Sequence, residues 1–419
     1  MRAPFTRKVL FFIAILLVLL VLYHNLKINY EGHKVLRKIN RIIWEKRLSD
    51  EHLVSTNVKD DKNSDITQKV NEEKPIEMKY ILQWTSGKHV PFVYMGQGQE
   101  GFISRKCPYT NCIVTSNRNY LDDYTKFDVI AFAGPQVIRL NDLPKKRSPH
   151  QKYVFATIES ADNYPVCSNR FDGYFNWTWT YKLDSEVRWG YMAIRDNDNN
   201  IVGPNKQMNW IKLEDMEPVS EEFKKQLKSK TKAAAWFVSN CYSKSRRETY
   251  VGELQKELKN YNLDIDIYGQ CGKLYCSRDN EEKCDKMVKD TYYFYLSFEN
   301  SFSEDYATEK LLRALESDTV PVVYGGANYS RFMPDGVYLD ARELGVKNLA
   351  KKMNDLINDP EKYAEYFKWK KYYKYYRKHL SVDTDEYCLF CTTLNNKEMV
   401  EKTTIYKNFR EWWDPPNRC

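Results

Sequence analysis

Long hydrophobic runs are scarce in this chain of 419 residues. Residues 9–26 form a largely apolar run that is long enough to span a bilayer, and no other stretch is apolar enough to do so. A stripe of concentrated positive charge is also missing, because the net charge of +8 is spread along the chain among acidic residues. A nucleic-acid-binding protein would concentrate its cations, so the sequence argues against that class.

Two common devices for holding a ligand are also missing. No Walker-type phosphate loop occurs, so a bound nucleotide must be held in another way. Cys388 and Cys391 have the spacing of half a zinc site, but Cys107 and Cys112 are spaced too widely for a second half. The ten cysteines are even in number, and none lies in the hydrophobic run. Disulfide bonds in an oxidising lumen are therefore the simpler interpretation.

The N-terminal run predicts a signal anchor at residues 9–26, preceded by a cytoplasmic tail at residues 1–8. Basic residues in the tail hold that end in the cytosol, which leaves the rest of the chain in the lumen. A cleaved signal peptide is the alternative, but residues 23–27 offer no small-x-small cleavage site.

A stem is predicted next, at residues 27–77. Its later part, residues 59–74, is polar and charged without aromatic residues, so it cannot bury enough apolar surface to fold alone. In the lumen, the sequons at Asn176 and Asn328 would be accessible to glycosylation.

Beyond the stem the chain predicts an α/β fold. Buried strands are predicted at residues 79–84, 128–133 and 153–158, followed by long irregular connections up to about residue 208. A charged helix at 214–230 leads to a second series, in which strands and helices alternate. Its predicted strands lie at 233–238, 263–268, 292–298, 320–324 and 337–339, and its helices at 245–258 and 309–316. Alternation of this kind predicts parallel, doubly wound sheets, here in two domains that face each other across a cleft.

Residues 294–310 are the most informative stretch. A strand runs into a polar loop, and Thr308 then stands at the N-cap position of the helix that begins at Glu309. A helix N-terminus suits a phosphate, because it presents free N–H groups and partial positive charge. Lys310 gains nothing from the helix dipole, which indicates an anion nearby. A capped and solvated helix start is the alternative, and position alone leaves both open.

Two further strand ends carry candidate residues. Ser239 and Asn240 stand where α/β folds bind ligands, and Arg247 opens the following helix, where it can bind a diphosphate bidentately. Glu159 directly follows a buried strand of the first domain and is a candidate general base. The alternatives are a solvent-exposed arginine and an ordinary surface carboxylate.

Taken together, these segments resemble the α1,3/α1,4-fucosyltransferases of glycosyltransferase family ten. The resemblance rests on Phe294-Tyr-Leu-Ser-Phe-Glu-Asn-Ser, Asp305-Tyr-Ala-Thr-Glu-Lys310 and Val320-Pro-Val-Val-Tyr-Gly325, and it covers about residues 79–395. The segments 238–250 and 172–178 are similar to two further family signatures. Residues 268–276 and the tail with Trp412, Trp413 and Cys419 look more like the invertebrate and plant core α1,3 branch.

The resemblance implies two Rossmann-like domains of the GT-B type, namely an acceptor-side domain at 78–225 and a GDP-fucose-binding domain at 226–365. A helical tail at 366–419 follows and packs back on the first domain. It implies an inverting α1,3-fucosyltransferase in the Golgi membrane, single-pass and type II, that transfers L-fucose from GDP-fucose to N-acetylglucosamine of glycoprotein glycans. The core N-glycan residue is the favoured acceptor. A Lewis-type enzyme acting on terminal N-acetyllactosamine is the alternative, and an inactive lumenal glycan-binding protein is a remote one.

The resemblance also assigns roles to residues. Glu159 aligns with the proposed base, and Arg247 and Lys310 align with contacts to the donor phosphates. The other expected donor-binding residues are Ser239, Asn240, Glu299, Asn300, Tyr306 and Glu309. With two cations in place no metal is required, although stimulation by Mn²⁺ stays open.

Disulfide bonds follow from the resemblance too. Cys388 and Cys391 are expected to pair with cysteines of the first domain, for which Cys107 and Cys112 are the candidates. A local bridge is expected among Cys271, Cys276 and Cys284. One departure from the family is Arg188-Trp189-Gly190, where the usual segment is Pro-Tyr-Gly and where the acceptor is expected to bind.

Overall fold

The computed structural model describes residues 77–139, 141–414 and 419. The predicted tail and anchor and nearly all of the stem lie outside these residues. Within them, no helix combines the length and the hydropathy needed to cross a membrane. The described residues form one compact unit.

The described residues contain three sheets. Their strands are β1 (Lys79–Gln83), β2 (Cys112–Thr115), β3 (Val129–Ala133), β4 (Lys152–Thr157), β5 (Trp177–Thr180), β6 (Val187–Arg188), β7 (Ala193–Arg195), β8 (Ile201–Gly203), β9 (Lys232–Phe237), β10 (Ile265–Tyr268), β11 (Tyr292–Phe298), β12 (Val320–Tyr324), β13 (Leu339–Asp340) and β14 (Lys374–Tyr376). The first sheet has the order β2-β1-β3-β4-β5-β6 and the second β10-β9-β11-β12-β13, and all pairs in both are parallel. A small antiparallel sheet joins β14 to β7 and β8.

The helices connect and cover these sheets. They are α1 (Glu100–Ser104), α2 (Gly134–Val137), α3 (Glu221–Lys228), α4 (Arg247–Leu258), α5 (Glu281–Thr291), α6 (Glu309–Glu316), α7 (Ala341–Asn358), α8 (Pro360–Glu365), α9 (Glu386–Asn395), α10 (Lys397–Glu401) and α11 (Phe409–Trp413). Helix α7 is kinked at Gly345, whose φ of +69° lies in the left-handed region that favours glycine.

The predicted α/β fold with parallel sheets is confirmed, and the predicted strands of the second domain lie within two residues of the observed ones. The prediction of irregular connections up to residue 208 is wrong, because β5 to β8 lie there. These strands have two to four residues, which is too short for a periodic pattern to stand out. The predicted helix at 214–230 is limited to α3, which begins after Ser220, whose hydroxyl accepts a hydrogen bond from the Phe223 N–H.

The C-terminal segment returns to the first sheet. Phe390 of α9 stacks on Trp179 of β5, with ring centroids 4.5 Å apart. Farther on, Phe409 and Trp413 of α11 pack edge-on against Phe155 of β4 at 4.9 and 5.0 Å. All of these rings are fully buried, so the tail completes the core of the first domain.

Five disulfide bonds join all ten cysteines. The pairs are Cys107–Cys388, Cys112–Cys391, Cys167–Cys419, Cys241–Cys271 and Cys276–Cys284. The expected pairing of Cys388 and Cys391 with Cys107 and Cys112 is confirmed. The expected local bridge is Cys276–Cys284.

Cys271, the third candidate, forms a separate disulfide bond with Cys241. The reason is topological. Strands β9 and β10 are parallel neighbours, so the loops at their carboxyl ends, which carry Cys241 and Cys271, lie side by side.

Candidate active site

A cavity lies at the carboxyl ends of the second sheet. The strand order reverses between β9 and β11, and α/β sheets bind ligands outside the strand ends at such a switch point. The cavity has a volume of about 480 Å³. Its lining includes Ser239 after β9, Gly269 after β10, and Arg247, Glu309 and Lys310 from the starts of α4 and α6.

Lys310 stands at the centre of a polar network in this cavity. Its Nζ donates to the Thr308 hydroxyl at 2.7 Å and contacts Glu309 Oε1 at 3.0 Å and Glu299 Oε2 at 3.2 Å. Burial favours the neutral amine, but Glu299 and Glu309 raise the pKa of Lys310 above its usual value. Lys310 is therefore a fixed cation at the N-terminus of α6.

Glu299 is the buried acceptor of this network. Its carboxylate is buried and accepts hydrogen bonds from the Thr308 N–H at 2.9 Å and from the Thr308 hydroxyl at 2.8 Å. Burial raises the pKa of Glu299 against the pull of Lys310. Thr308 holds the predicted N-cap position, but its side chain makes no capping hydrogen bond, because the hydroxyl is turned toward Glu299.

Arg247 reaches the same cavity from the first turn of α4. It is only 3% exposed, and its guanidinium donates to the Phe298 carbonyl at 2.6 Å and to the Asn240 carbonyl at 3.3 Å. Its buried Nε–H has no partner among the described residues. Burial lowers the pKa of Arg247, against the attraction of Glu299 and Glu248.

Glu159 comes to this network from the first domain. Burial raises the pKa of Glu159 above its ordinary value, against the attraction of Lys310, and the charge of Glu309 raises it further. Hydrogen bonds from Asn163 and Tyr306 act in the opposite direction. The carboxylate of one domain therefore lies within electrostatic range of the cation of the other.

A junction between two loops fixes this approach. The loop after β4 meets the loop after β11: the hydroxyls of Ser160 and Ser301 are 2.6 Å apart, and Asp162 N–H donates to the Ser303 hydroxyl at 3.0 Å. In return, Asp162 Oδ2 accepts from Phe302 N–H at 2.9 Å. These contacts position Glu159 relative to α6.

The predicted site residues separate into two groups. Glu159, Arg247, Glu299, Tyr306, Glu309 and Lys310 come together, and Ser239 lines the cavity beside them. Asn240 and Asn300 do not line the cavity. Neither do Glu159, Glu299 and Tyr306, but the two carboxylates act electrostatically on Tyr306. The Asn240 amide oxygen accepts from Tyr242 N–H, and the Asn300 amide oxygen accepts from Asn163, so both amides order their loops.

The sequence analysis missed Arg313 and Asn163. Arg313 lies one helical turn after Lys310, lines the cavity and forms ion pairs with Glu281 at 2.7 Å and Asp285 at 2.8 Å. The spacing of three residues along α6 was a usable signal. No sequence pattern marks Asn163, because its hydrogen bonds to Glu159 and Asn300 depend on contacts between loops that are distant in sequence.

Residues 96–101, Gly-Gln-Gly-Gln-Glu-Gly, match the glycine pattern of dinucleotide-binding turns, but their setting differs. The helix α1 that follows has five residues, and Gly98 forms a bridge with Val114. A Cβ on Gly101 would stand 2.4 Å from the Met95 side chain. The glycines therefore serve local packing rather than a pyrophosphate.

Both sequons lie in the described residues. Asn328 is exposed. The Asn176 side chain is half-buried, and its amide nitrogen donates to the Thr404 carbonyl at 2.8 Å. In residues 77–139, 141–414 and 419 no group of three or more His, Cys, Asp or Glu side chains is arranged to hold a metal ion. Glycosylation at Asn176 and Asn328 and the response to metals stay predictions.

Two parallel α/β domains, with cations at the strand ends of one and a carboxylate approaching from the other, are suited to the transfer of a sugar from a nucleotide, as in glycosyltransferases. Family models match both halves of the chain: "Fucosyltransferase, N-terminal" over residues 76–192 and "Glycosyltransferase family 10 (fucosyltransferase) C-term" over residues 227–412. The chain belongs to glycosyltransferase family 10, the fucosyltransferases.

Two relatives from Drosophila melanogaster agree with this assignment. Alpha-(1,3)-fucosyltransferase C of Drosophila melanogaster is 36% identical over 73% of this chain and 70% of its own length. Glycoprotein 3-alpha-L-fucosyltransferase A of the same organism is 30% identical over 77% of this chain and 58% of its own length. A crystal structure of an α1,3-fucosyltransferase with GDP-fucose is 16% identical, with a TM-score of 0.46 over 80% of this chain and 95% of that one.

Proposed function

We propose that this protein is an inverting α1,3-fucosyltransferase that transfers L-fucose from GDP-fucose to the core N-acetylglucosamine of N-glycans. The observation that carries the proposal is the approach of Glu159 in one domain to Lys310 in the other. Both Drosophila relatives are named as α1,3-fucosyltransferases, which supports the α1,3 linkage. One of them is named as acting on glycoproteins, which supports a protein-linked glycan as the acceptor. Placement in the Golgi membrane as a type II protein belongs to the same proposal.

The donor fits the cavity at the end of the second sheet. The diphosphate lies at the N-terminus of α6, where the partial positive charge of the helix adds to the charge of Lys310, and Arg247 faces it from α4. The cavity, at about 480 Å³, has the size of a nucleotide site. Glu299 does not contact the donor in this arrangement; it positions Lys310.

The transfer is a single displacement. The acceptor hydroxyl attacks the anomeric carbon of fucose from the face opposite the phosphate, and Glu159 removes its proton as the new C–O bond forms. The bond between the anomeric carbon and the phosphate oxygen breaks, and GDP leaves with the electron pair. Lys310 and Arg247 offset the negative charge that develops on the phosphate, so no metal is needed for this role.

The raised pKa of Glu159 suits a general base. A carboxylate of ordinary pKa is a weak base, and burial strengthens it by disfavouring its charged form. Lys310 and the hydrogen bonds from Asn163 and Tyr306 oppose this effect, because each favours the charged carboxylate.

The first test offers the protein GDP-fucose together with a core N-glycan glycopeptide and a lactosamine oligosaccharide. We expect mass spectrometry to show one deoxyhexose on the innermost N-acetylglucosamine of the glycopeptide. Transfer to lactosamine alone would contradict the core assignment and leave the chemistry intact. Transfer to neither acceptor would contradict the proposed reaction.

The second test separates chemistry from binding. Glu159→Gln keeps the size of the side chain but removes the base, so turnover should fall about 10²- to 10⁴-fold while GDP-fucose binding is retained. Glu222→Gln, an exposed position on α3, is the matched control and should change neither quantity. Near-normal turnover of Glu159→Gln would refute the assignment of the base.

A further inference from the structure

Two neighbouring cavities share a lining residue, and the inner one borders the segment that carries Glu159. The inner one has a volume of about 350 Å³ and is lined by Tyr191, whose hydroxyl donates to the Ile158 carbonyl at 2.9 Å, immediately before Glu159. The outer one has a volume of about 480 Å³. Asn205 lines both cavities, so its side chain forms part of the wall that they share.

The wall between them is rigid. The Asn205 amide oxygen accepts from Arg188 Nη2 at 3.0 Å, and its amide nitrogen donates to the Val202 carbonyl at 2.9 Å. Arg188 lines the inner cavity, in the segment where the sequence departs from its family.

Aromatic rings line the outer cavity, and each is held by the protein. The Trp210 indole N–H donates to the Ser330 carbonyl at 2.6 Å, and its ring meets Tyr373 edge-on at 4.8 Å. The hydroxyls of Tyr372 and Tyr373 accept hydrogen bonds from the backbone N–H groups of Glu217 and Ile211, both at 3.0 Å. A ligand that packs on these rings does not have to order them first.

Free amides complete the lining. Gln207 and Asn209 are exposed, and within the part of the chain that the structure describes their side chains make no hydrogen bond. An amide group offers donors and an acceptor together, which matches adjacent sugar hydroxyls. The described lining contains no Lys or Arg and two carboxylates, Asp196 and Asp198, so it favours a neutral ligand over an anionic one.

We propose that the outer cavity binds a neutral oligosaccharide, namely the part of the acceptor glycan that extends away from the reacting N-acetylglucosamine. The proposal rests on the proposed function, because it assigns a second contact region to the same acceptor. It makes Gln207 and Asn209 residues that determine acceptor specificity without touching the reacting atoms.

The test uses the double variant Gln207→Ala/Asn209→Ala and the control Gln226→Ala, an exposed amide on α3. With the core N-glycan glycopeptide, the KM for the glycopeptide should rise about five- to tenfold in the double variant, because each lost hydrogen bond weakens binding severalfold. The KM for GDP-fucose should not change. A glycopeptide KM equal to that of the control would overturn the proposal.

A binding measurement without donor keeps this test independent of the reaction. The oligosaccharide released from the glycopeptide is titrated into the full protein and followed by saturation-transfer NMR. Binding that is lost in Gln207→Ala/Asn209→Ala supports the proposal, even if no fucose is transferred and the proposed function fails. No binding, or equal binding in the double variant, overturns it.

Discussion

The two disulfide bonds between the first domain and α9 should stabilise the protein in a strongly non-additive way. Cys107–Cys388 and Cys112–Cys391 join the same two segments of the chain. A third bond, Cys167–Cys419, joins the first domain to a later position in the C-terminal tail. When one bond of the pair is present, the other closes a loop of only about ten residues, which stabilises by about 2.5 kcal/mol. When neither is present, the first to form closes a loop of about 85 residues through Cys167–Cys419, worth about 4.5 kcal/mol.

The perturbation replaces the cysteines of one bond, of the other, and of both by alanine. Either single removal should lower the free energy of unfolding by about 2.5 kcal/mol, and removal of both should lower it by about 7 kcal/mol. The difference between the effect of removing both bonds and the sum of the two single effects is about 2 kcal/mol. This coupling energy is the informative quantity, because the packing lost with each cysteine pair is the same whether or not the other bond is present, and it cancels in the double-mutant cycle.

Urea unfolding followed by tryptophan fluorescence measures these differences, provided that the slope against urea is the same in all variants. The bond Cys276–Cys284, which closes eight residues elsewhere in the fold, is the control, and its removal should add independently to either of the others. Additivity of the two parallel bonds within about 0.5 kcal/mol would refute the loop-closure reasoning.

Three predictions concern the active site. Lys310→Met should weaken GDP-fucose binding at least about tenfold in a calorimetric titration, because the diphosphate loses a charge-assisted partner; unchanged affinity would contradict the donor assignment. Tyr306→Phe removes a hydrogen bond that lowers the pKa of Glu159, so this pKa should rise. Because a base stops working once the pH falls below its pKa, the acid limb of the kcat/KM profile should move to higher pH. An acid limb that stays in place or moves to lower pH would argue against Glu159 as the base. Thr308→Val leaves the buried Glu299 carboxylate without its hydroxyl donor and should lower the free energy of unfolding by about 1–3 kcal/mol in urea titrations, whereas an unchanged midpoint would contradict the network.

Local patterns predicted the second domain well. Strand β11 is a seven-residue run of mostly buried apolar and aromatic residues, and α6 begins at the predicted Glu309 because a polar loop and Thr308 precede it. The candidate residues Arg247 and Lys310 follow from the same logic, since each opens the helix after a strand. Here the sequence signal and the structural cause are both local.

The rest depends on contacts that no local pattern shows. The junction of Ser160 with Ser301 joins residues 141 positions apart, and the pairing of Cys271 with Cys241 follows from the adjacency of β9 and β10. The Thr308 hydroxyl turns to Glu299 instead of capping its helix, and it thereby supplies a donor to a buried carboxylate. Sheet order and burial decide these features, and both are properties of the folded chain.

The chain passes from the first domain to the second before β9 and returns after α8, where β14 pairs with β7. The second domain is therefore held by two covalent crossings rather than by one flexible link. Two fixed points define an axis, and rotation about that axis is the relative motion that stretches neither crossing. Every other relative motion strains a crossing, so the path of the chain itself helps to hold Glu159 opposite Lys310.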